Sequence, residues 1–404
     1  MGRGLRALVG EKPLHRLGSV WPFVLAVFVL SRIFFLGVGA IATATLPWAQ
    51  PAHGAPLDLP APPLDYWAHW DGVWYWQIAY GGYPVGRPFL TGFFPLFPLL
   101  MHLATTLGGD LALWGVAISL AATLFALYFL YRIAERLWDV RAAQATTLVF
   151  AFFPTAFFLN AIYTEALFVA LAAGSYWAAY VRRDLLLAGI LGALAAATRN
   201  VGVLLLIPLG YEWLRNRREF GWRGLLEIAL VPVGLLGYMA FLQGRFENPL
   251  MFSDAQSLYW SRDFTNPLDT LRAAWADAGR GLRYVLDPAA LFLDPAALPA
   301  LEASGVINIV FLAVAFVLMN VGFAILPLGL SLFTFVVMLL HLLTPNAGIP
   351  LLGLPRFVLV IFPLFLVLGY MLSRSRTLLF FWLLLSSSLG AALTAMFVTW
   401  RWVA

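Results

Sequence analysis

The stretch from His69 to Pro98, HWDGVWYWQIAYGGYPVGRPFLTGFFPLFP, sets one acid, Asp71, among Trp67, Trp70, Trp74, Tyr75 and Trp76. A carboxylate can take a proton from a hydroxyl that comes within hydrogen-bond reach, which is general-base chemistry. The residue also suits a plainer role. Asp is a favoured helix N-cap, a helix could run from Gly72 to Tyr80, and Gly81 and Gly82 would stop it. The tryptophans would then be an interfacial belt. The two roles are compatible, and the residues alone leave both open.

Other polar residues stand at the edges of apolar runs. Glu165, in NAIYTEALF, is costly there unless it is paired or faces water, and it also suits a capping box near Ile162 to Thr164. Arg199 with Asn200, Arg262 in YWSRDF, and Arg356 after Pro355 could snorkel or pair with Glu165 or an aspartate. They could equally hold a phosphate, which the guanidinium fork fits well. Pro355 at a first helical turn would also bring Arg356 near a helix N-terminus, where anions bind. Arg32 lies mid-run, where a charge is expensive without a partner. The five histidines have no metal spacing, although His69 and Asp71 could chelate on an extended segment. With no cysteine, P-loop, Rossmann glycines or Gly-x-Ser-x-Gly turn, no metal or cofactor is expected and a nucleotide donor has no support.

The elements that must position these residues are membrane helices. The chain is 62% hydrophobic and 11% charged, far from the soluble norm of about half and a quarter. Apolar runs of span length recur from Val20 to Thr399, which predicts an all-α polytopic membrane protein with one membrane-embedded domain over residues 1–404. The expected spans are 20–42, 111–131, 143–160, 165–181, 185–198, 201–214, 225–243, 305–320, 323–343, 356–372 and 377–399, about eleven in all. The basic N-terminus leads into an uncleaved first span, since its apolar run exceeds a signal-peptide core.

Arg3 to Arg16, Arg132/Arg136/Arg141, Arg182/Arg183, Arg215 to Arg223 and Arg374/Arg376 all fall on one side, read as cytoplasmic, with the N-terminus. That arrangement fits membrane topology, not nucleic-acid binding. The other side receives two long loops, 44–110 and 244–304. Phe89 to Leu107 is read as a re-entrant or surface-lying helix, because Pro95 and Pro98 interrupt it and a full span would invert every later arginine. In the second loop, Leu268, Leu271, Trp275, Ala278 and Leu282 predict an amphipathic helix lying in the interface.

The blocks HWDGVWYWQIAYGGY with FFPLFPLL, NAIYTEALF, ATRNVGVLLLIPL, FENPLMFSDAQSLYW and LPRFVLVIFPLF, in that order, resemble the bacterial relatives of the PIG-V family. That family is similar to GPI mannosyltransferase II and belongs to the GT-C class of membrane glycosyltransferases. The resemblance implies a GT-C-like bundle and an inverting transfer of a sugar, expected to be mannose, from a polyprenyl-phosphate donor. It implies transfer on the outer face of a bacterial plasma membrane to a glycan, lipid or protein acceptor. It places the catalytic residue, a general base, at Asp71 and carries Arg199 and Arg356 over from the family's motifs; with Arg262, read from the residues, these arginines are expected to bind the donor phosphate. The motifs put His69, Trp70, Tyr75, Glu165, Gln256 and Trp260 in the sugar or acceptor subsite. Two departures stand out. GT-C enzymes often carry two adjacent acids in the first outer loop, whereas here Asp71 has only Asp65 nearby, which speaks against a metal. Bacteria also lack GPI anchors, so the family's acceptor does not carry over. The rival reading is a flippase or transporter for lipid-linked sugars, which would need charged residues reaching both sides and a two-halves symmetry that the sequence does not display. A non-catalytic scaffold is a third.

Overall fold

In the computed structural model of the chain, residues 17–49, 64–295 and 298–403 are described. The basic N-terminal stretch from Arg3 to Arg16 and part of the first long loop lie outside them. Among the described residues the chain is helical, with one isolated backbone bridge between Arg262 and Asn346. The helices are α1 (Leu17–Thr45), α2 (Asp71–Gly81), α3 (Leu96–Ala104), α4 (Leu111–Leu137), α5 (Val140–Ala151), α6 (Glu165–Trp177), α7 (Leu185–Thr198), α8 (Leu206–Arg215), α9 (Arg217–Phe220), α10 (Arg223–Ile228) and α11 (Val233–Phe246). They continue as α12 (Met251–Trp260), α13 (Pro267–Val285), α14 (Pro288–Leu293), α15 (Leu298–Ile325), α16 (Leu328–Leu343), α17 (Leu354–Val360), α18 (Phe362–Leu372) and α19 (Arg376–Val398).

Four of these, in α1, α4, α15 and α19, are long and apolar enough to cross a membrane, and a fifth span appears if the bent pair α17–α18 counts as one. Leu30 and Ile33 of α1 and Phe380 and Leu385 of α19 point large apolar side chains outward, as helices do toward lipid. The chain is an integral membrane protein. The eleven expected spans are not eleven single helices. Residues 143–160 run as α5 and then leave the helix before Pro154, and 225–243 divide into α10 and α11. Residues 185–198 form the 14-residue α7, and 201–214 begin as a 3₁₀ turn. The stretch 356–372 bends by 79° around Ile361, beside Pro363. Proline lacks the amide the helix needs and disfavours helical backbone just before it. A hydropathy average over a window does not register such breaks.

Phe89 to Leu107 folds as a 3₁₀ turn, the nine-residue α3 and a second 3₁₀ turn. At 1.5 Å per residue α3 is about 14 Å long, too short to cross a hydrocarbon core of about 30 Å. The second loop contains the expected amphipathic helix as α13. Its Leu268, Trp275 and Leu282 are exposed, with Trp275 at 74%, while Thr270, Ala274, Asp277 and Gly281 are buried. The helix thus presents its apolar face outward and packs its small and polar face on α15. A Cβ on Gly281 would lie 2.1 Å from the Glu302 carbonyl oxygen, so glycine lets the two backbones touch.

The partner of Arg32 is the break after α5. Its Nη1 donates to the Ala156 carbonyl (2.9 Å) and to Asn160 Oδ1 (2.7 Å), and Nη2 donates to the Ala151 carbonyl (2.9 Å). A buried guanidinium here satisfies acceptors that the interrupted helix leaves open. It thereby fixes the turn that delivers Tyr163, Thr164 and Glu165.

Candidate active site

The break between α5 and α6 and the loop before α2 are laced together. The Ile162 amide donates to the Trp67 carbonyl at 2.9 Å. The Tyr163 hydroxyl donates to the His69 carbonyl and accepts from the Asp71 amide, both at 3.0 Å. Burial, with the Asp71 carboxylate second, holds this phenol well above its usual range, so it remains a donor. Trp70 precedes α2 with φ 57° and ψ −124°, a backbone state that a non-glycine residue holds only when its surroundings enforce it.

Asp71 is the first residue of α2, not its cap. Trp70 occupies the cap position, and no side chain caps the helix there. The carboxylate instead meets Arg356, with Nη1 to Oδ2 at 2.5 Å. Arg356 Nε lies 3.5 Å from Glu165 Oε1, and that same oxygen accepts from Arg199 Nη1 at 2.7 Å. Arg199 Nη1 also donates to Thr164 Oγ1 at 3.1 Å, and the Tyr75 hydroxyl is 3.3 Å from that oxygen. Burial, followed by the charge of Glu165, pushes the Tyr75 phenol up to about 12. The result is a chain of alternating charge, Asp71–Arg356–Glu165–Arg199, drawn from four separated segments.

Arg262 joins from the second loop. Its Nη1 and Nη2 donate to the carbonyls of Thr344 (3.3 Å) and Leu352 (2.8 Å), so it has no carboxylate partner among its hydrogen bonds. Burial, with the charge of Arg356 second, lowers it to about 10, which leaves it cationic at neutral pH. The Phe357 ring sits among all three cations, 5.2 Å from the Arg199 guanidinium carbon, 5.7 Å from that of Arg262 and 5.6 Å from that of Arg356. A ring face attracts cations, so one phenyl group helps hold three like charges in one place.

Asp71, Tyr75, the three arginines and Phe357 line a cavity of about 360 Å³, within the range of small-ligand sites. Its walls include Asp71, Tyr75, Arg199, Gln256, Trp260, Arg262, Arg356 and Trp402. Gly92 lets α12 approach: a Cβ there would lie 2.9 Å from Gln256 Nε2 and 3.5 Å from Trp260 Nε1.

Three residues expected in the sugar subsite do not line this cavity. The His69 ring is buried in an aromatic stack, 4.0 Å from the Trp400 ring, with Nδ1 3.3 Å from the Phe397 carbonyl, and burial pushes it down to about 3. Trp70 packs edge-on against Trp402 at 4.9 Å. Glu165, 1% exposed, lies beneath the arginines and makes ion pairs in place of a capping box. Conversely, Tyr163, Phe357 and Trp402 take part in the site though the sequence singled out none of them. The signal for the first two was proximity, since each lies within two residues of a charged one, in YTE or PRF. Among the described residues, no group of three or more His, Asp or Glu could hold a metal ion.

Comparison with known proteins agrees with the resemblance over part of the chain. Residues 63–212 match the family described as mannosyltransferase (PIG-V). GPI mannosyltransferase 2 of Cryptococcus neoformans var. neoformans serotype D (strain B-3501A) is 26% identical over 191 residues, 45% of this chain and 44% of that protein. The match thus spans less than half the length of that relative. Among solved structures, ArnT from Cupriavidus metallidurans bound to undecaprenyl phosphate aligns at a TM-score of 0.49 and 14% identity, over 86% of this chain and 60% of that one. An Archaeoglobus fulgidus oligosaccharyltransferase aligns at 0.44 and 15%, over 94% and 53%. The family segment holds Asp71, Glu165 and Arg199. Gln256, Trp260, Arg262 and Arg356 come from outside it and reach the cavity only through the fold.

Proposed function

We propose that this chain, whose residues 63–212 carry the mannosyltransferase (PIG-V) family pattern, is an inverting membrane glycosyltransferase of GT-C type. It moves a sugar, mannose on the family's precedent, from a polyprenyl-phosphate donor to a hydroxyl of a glycan, lipid or protein acceptor. The whole chain acts as one membrane domain. The cavity opens on the outer side of a bacterial plasma membrane, away from the helix ends that carry Arg132, Arg182, Arg215 and Arg374.

One observation carries the reading: a single carboxylate with hydroxyl-activating chemistry shares a cavity with three arginines. Those three guanidiniums face two carboxylates, Asp71 and Glu165, which leaves one positive charge. A sugar phosphodiester carries one negative charge and balances it. Asp71 accepts the proton of the acceptor hydroxyl as its oxygen attacks the anomeric carbon from the face opposite the phosphate. The bond from that carbon to the phosphate oxygen breaks, and its electron pair leaves with the polyprenyl phosphate. The second negative charge then developing on phosphate is stabilised by Arg356, Arg199 and Arg262 in a site of low dielectric. Tyr75, Gln256 and Trp260 supply polar and aromatic surface for the sugar. No step here requires a metal, and none excludes one.

The test is reconstitution into vesicles with polyprenyl-phosphate mannose radiolabelled in the sugar. Appearance of label in an acceptor, with release of polyprenyl phosphate, is expected. Label that crosses the bilayer still attached to its lipid would make the protein a flippase and overturn the assignment.

A further inference from the structure

Asp71 presents a difficulty as a base, because its carboxylate is already bonded to Arg356 at 2.5 Å. The guanidinium occupies Oδ2, so that oxygen must be given up before it can accept a proton from the acceptor hydroxyl. The surroundings of Arg356 offer a way out. Its Nε is buried and makes no hydrogen bond, and it lies 3.5 Å from Glu165 Oε1, just beyond hydrogen-bond range. Glu165 Oε2 is likewise buried without a hydrogen-bond partner, while Oε1 is engaged by Arg199. Arg356 and Glu165 are thus ion-paired through Oε1, yet each keeps a buried atom, Nε and Oε2, that makes no hydrogen bond. Buried polar groups in native proteins are nearly always paired, so an unmatched couple needs a reason. A guanidinium can form a two-pronged pair with a carboxylate, so Glu165 offers Arg356 a closer pairing than the 3.5 Å contact it now makes.

We propose that Arg356 has two seats and that Glu165 is the second. Without donor, Arg356 rests on Asp71 and keeps the base inactive. When the donor's phosphate enters beside Arg199 and Arg262, Arg356 turns to the phosphate and to Glu165, and the Asp71 carboxylate is released to the acceptor hydroxyl. Glu165 is therefore a positioning residue: it touches neither sugar nor phosphate and acts through Arg356. The device makes donor binding precede base activation, and it keeps water from being activated in an empty site. This inference rests on the glycosyltransferase reading above and adds to it the order of events.

The experiment compares wild type, Glu165→Gln and Glu165→Asp in reconstituted transfer, with kcat and the donor KM measured separately. Glu165→Gln removes the second seat and adds one net positive charge near the phosphate. Its kcat is expected to fall at least about tenfold, because the base stays engaged, while the donor KM stays level or drops. Glu165→Asp, which keeps a carboxylate, recovers most of the rate. An unchanged kcat, or a KM that rises along with the loss of rate, overturns the proposal. Should Glu165→Gln fail to fold, the wild-type protein provides the answer. Isotope-edited infrared spectra of its aspartates, with the Asp71→Asn spectrum subtracted, are recorded before and after adding polyprenyl phosphate. A shift of the Asp71 carboxylate band from ion-paired to free is expected, and an unmoved band overturns the two-seat idea. If wild type transfers no mannose, or Asp71→Asn transfers as well as wild type, the glycosyltransferase reading itself has failed.

Discussion

Two residues two positions apart, His69 and Asp71, meet opposite fates. Both stood out in the sequence as polar groups among indoles, and nothing local distinguishes them. His69 turns into the stack formed with Trp400 and Trp48, while Asp71 turns to the cavity. Asp71 could be picked out because an acid at the edge of an apolar run needs a reason. Which arginine pairs with it could not, since Arg199, Arg262 and Arg356 were all candidates and Arg356 lies 285 residues further along the chain. The burial of His69 has a measurable consequence. Its folded value near 3 lies below its ordinary 6.5, so the unfolded chain takes up a proton that the folded one refuses. The stability from keeping it neutral is complete above about pH 6.5 and is lost as pH falls toward 3, amounting to about 2 kcal/mol by pH 5. Thermal unfolding in detergent at pH 7 and pH 5 checks this. His69→Gln should lose less stability than wild type over that interval, and an equal loss would mean that His69 is hydrated in the folded protein.

Among the elements, the broken helices do the positioning. Glu165 follows the gap after α5, Arg199 ends α7 in extended backbone, and Arg356 lies in α17, just before the 79° bend. Irregular backbone at membrane depth is tolerated where protein covers it or where it lines a cavity, and here it does both. The sequence displayed the gaps before Glu165 and after Thr198 as span boundaries, but not the early end of α5 or the 79° bend beside Ile361, because average hydropathy is the same on either side of such a break. The orientation of α13 shows a related effect. Its helical spacing was legible, but the burial of its small and polar face depends on α15, whose carbonyl at Glu302 abuts Gly281. Gly281→Ala should therefore destabilise the protein by about 1–3 kcal/mol, since backbone and not a flexible side chain must yield. Gly279, two residues away, has nothing within 4 Å of an added Cβ, so Gly279→Ala should be neutral or mildly stabilising. Denaturant unfolding of the two variants decides the matter, and equal effects would mean that α13 does not pack as described.

For the whole molecule, the polarity of the bundle organises function. The helix ends rich in arginine, such as α6 running into Arg182 and α8 into Arg215, lie opposite the ends that deliver Glu165 and Arg199. That alternation was legible from the order of arginines, as was the membrane class from composition. The convergence of 63–212 with the later Gln256, Arg262 and Arg356 was legible only through the family resemblance, because nothing local links a loop arginine to a distant acid. The central claim is that Asp71 does chemistry at this convergence and does not merely hold α2 in place. Single-turnover transfer from polyprenyl-phosphate mannose, measured for wild type and Asp71→Asn at saturating donor, addresses it most directly. Asparagine keeps the size and one acceptor oxygen for Arg356 but cannot take the proton. The account predicts a rate lower by about 10²–10⁴-fold, with donor affinity and thermal stability near wild type. A rate within a few-fold of wild type would contradict it.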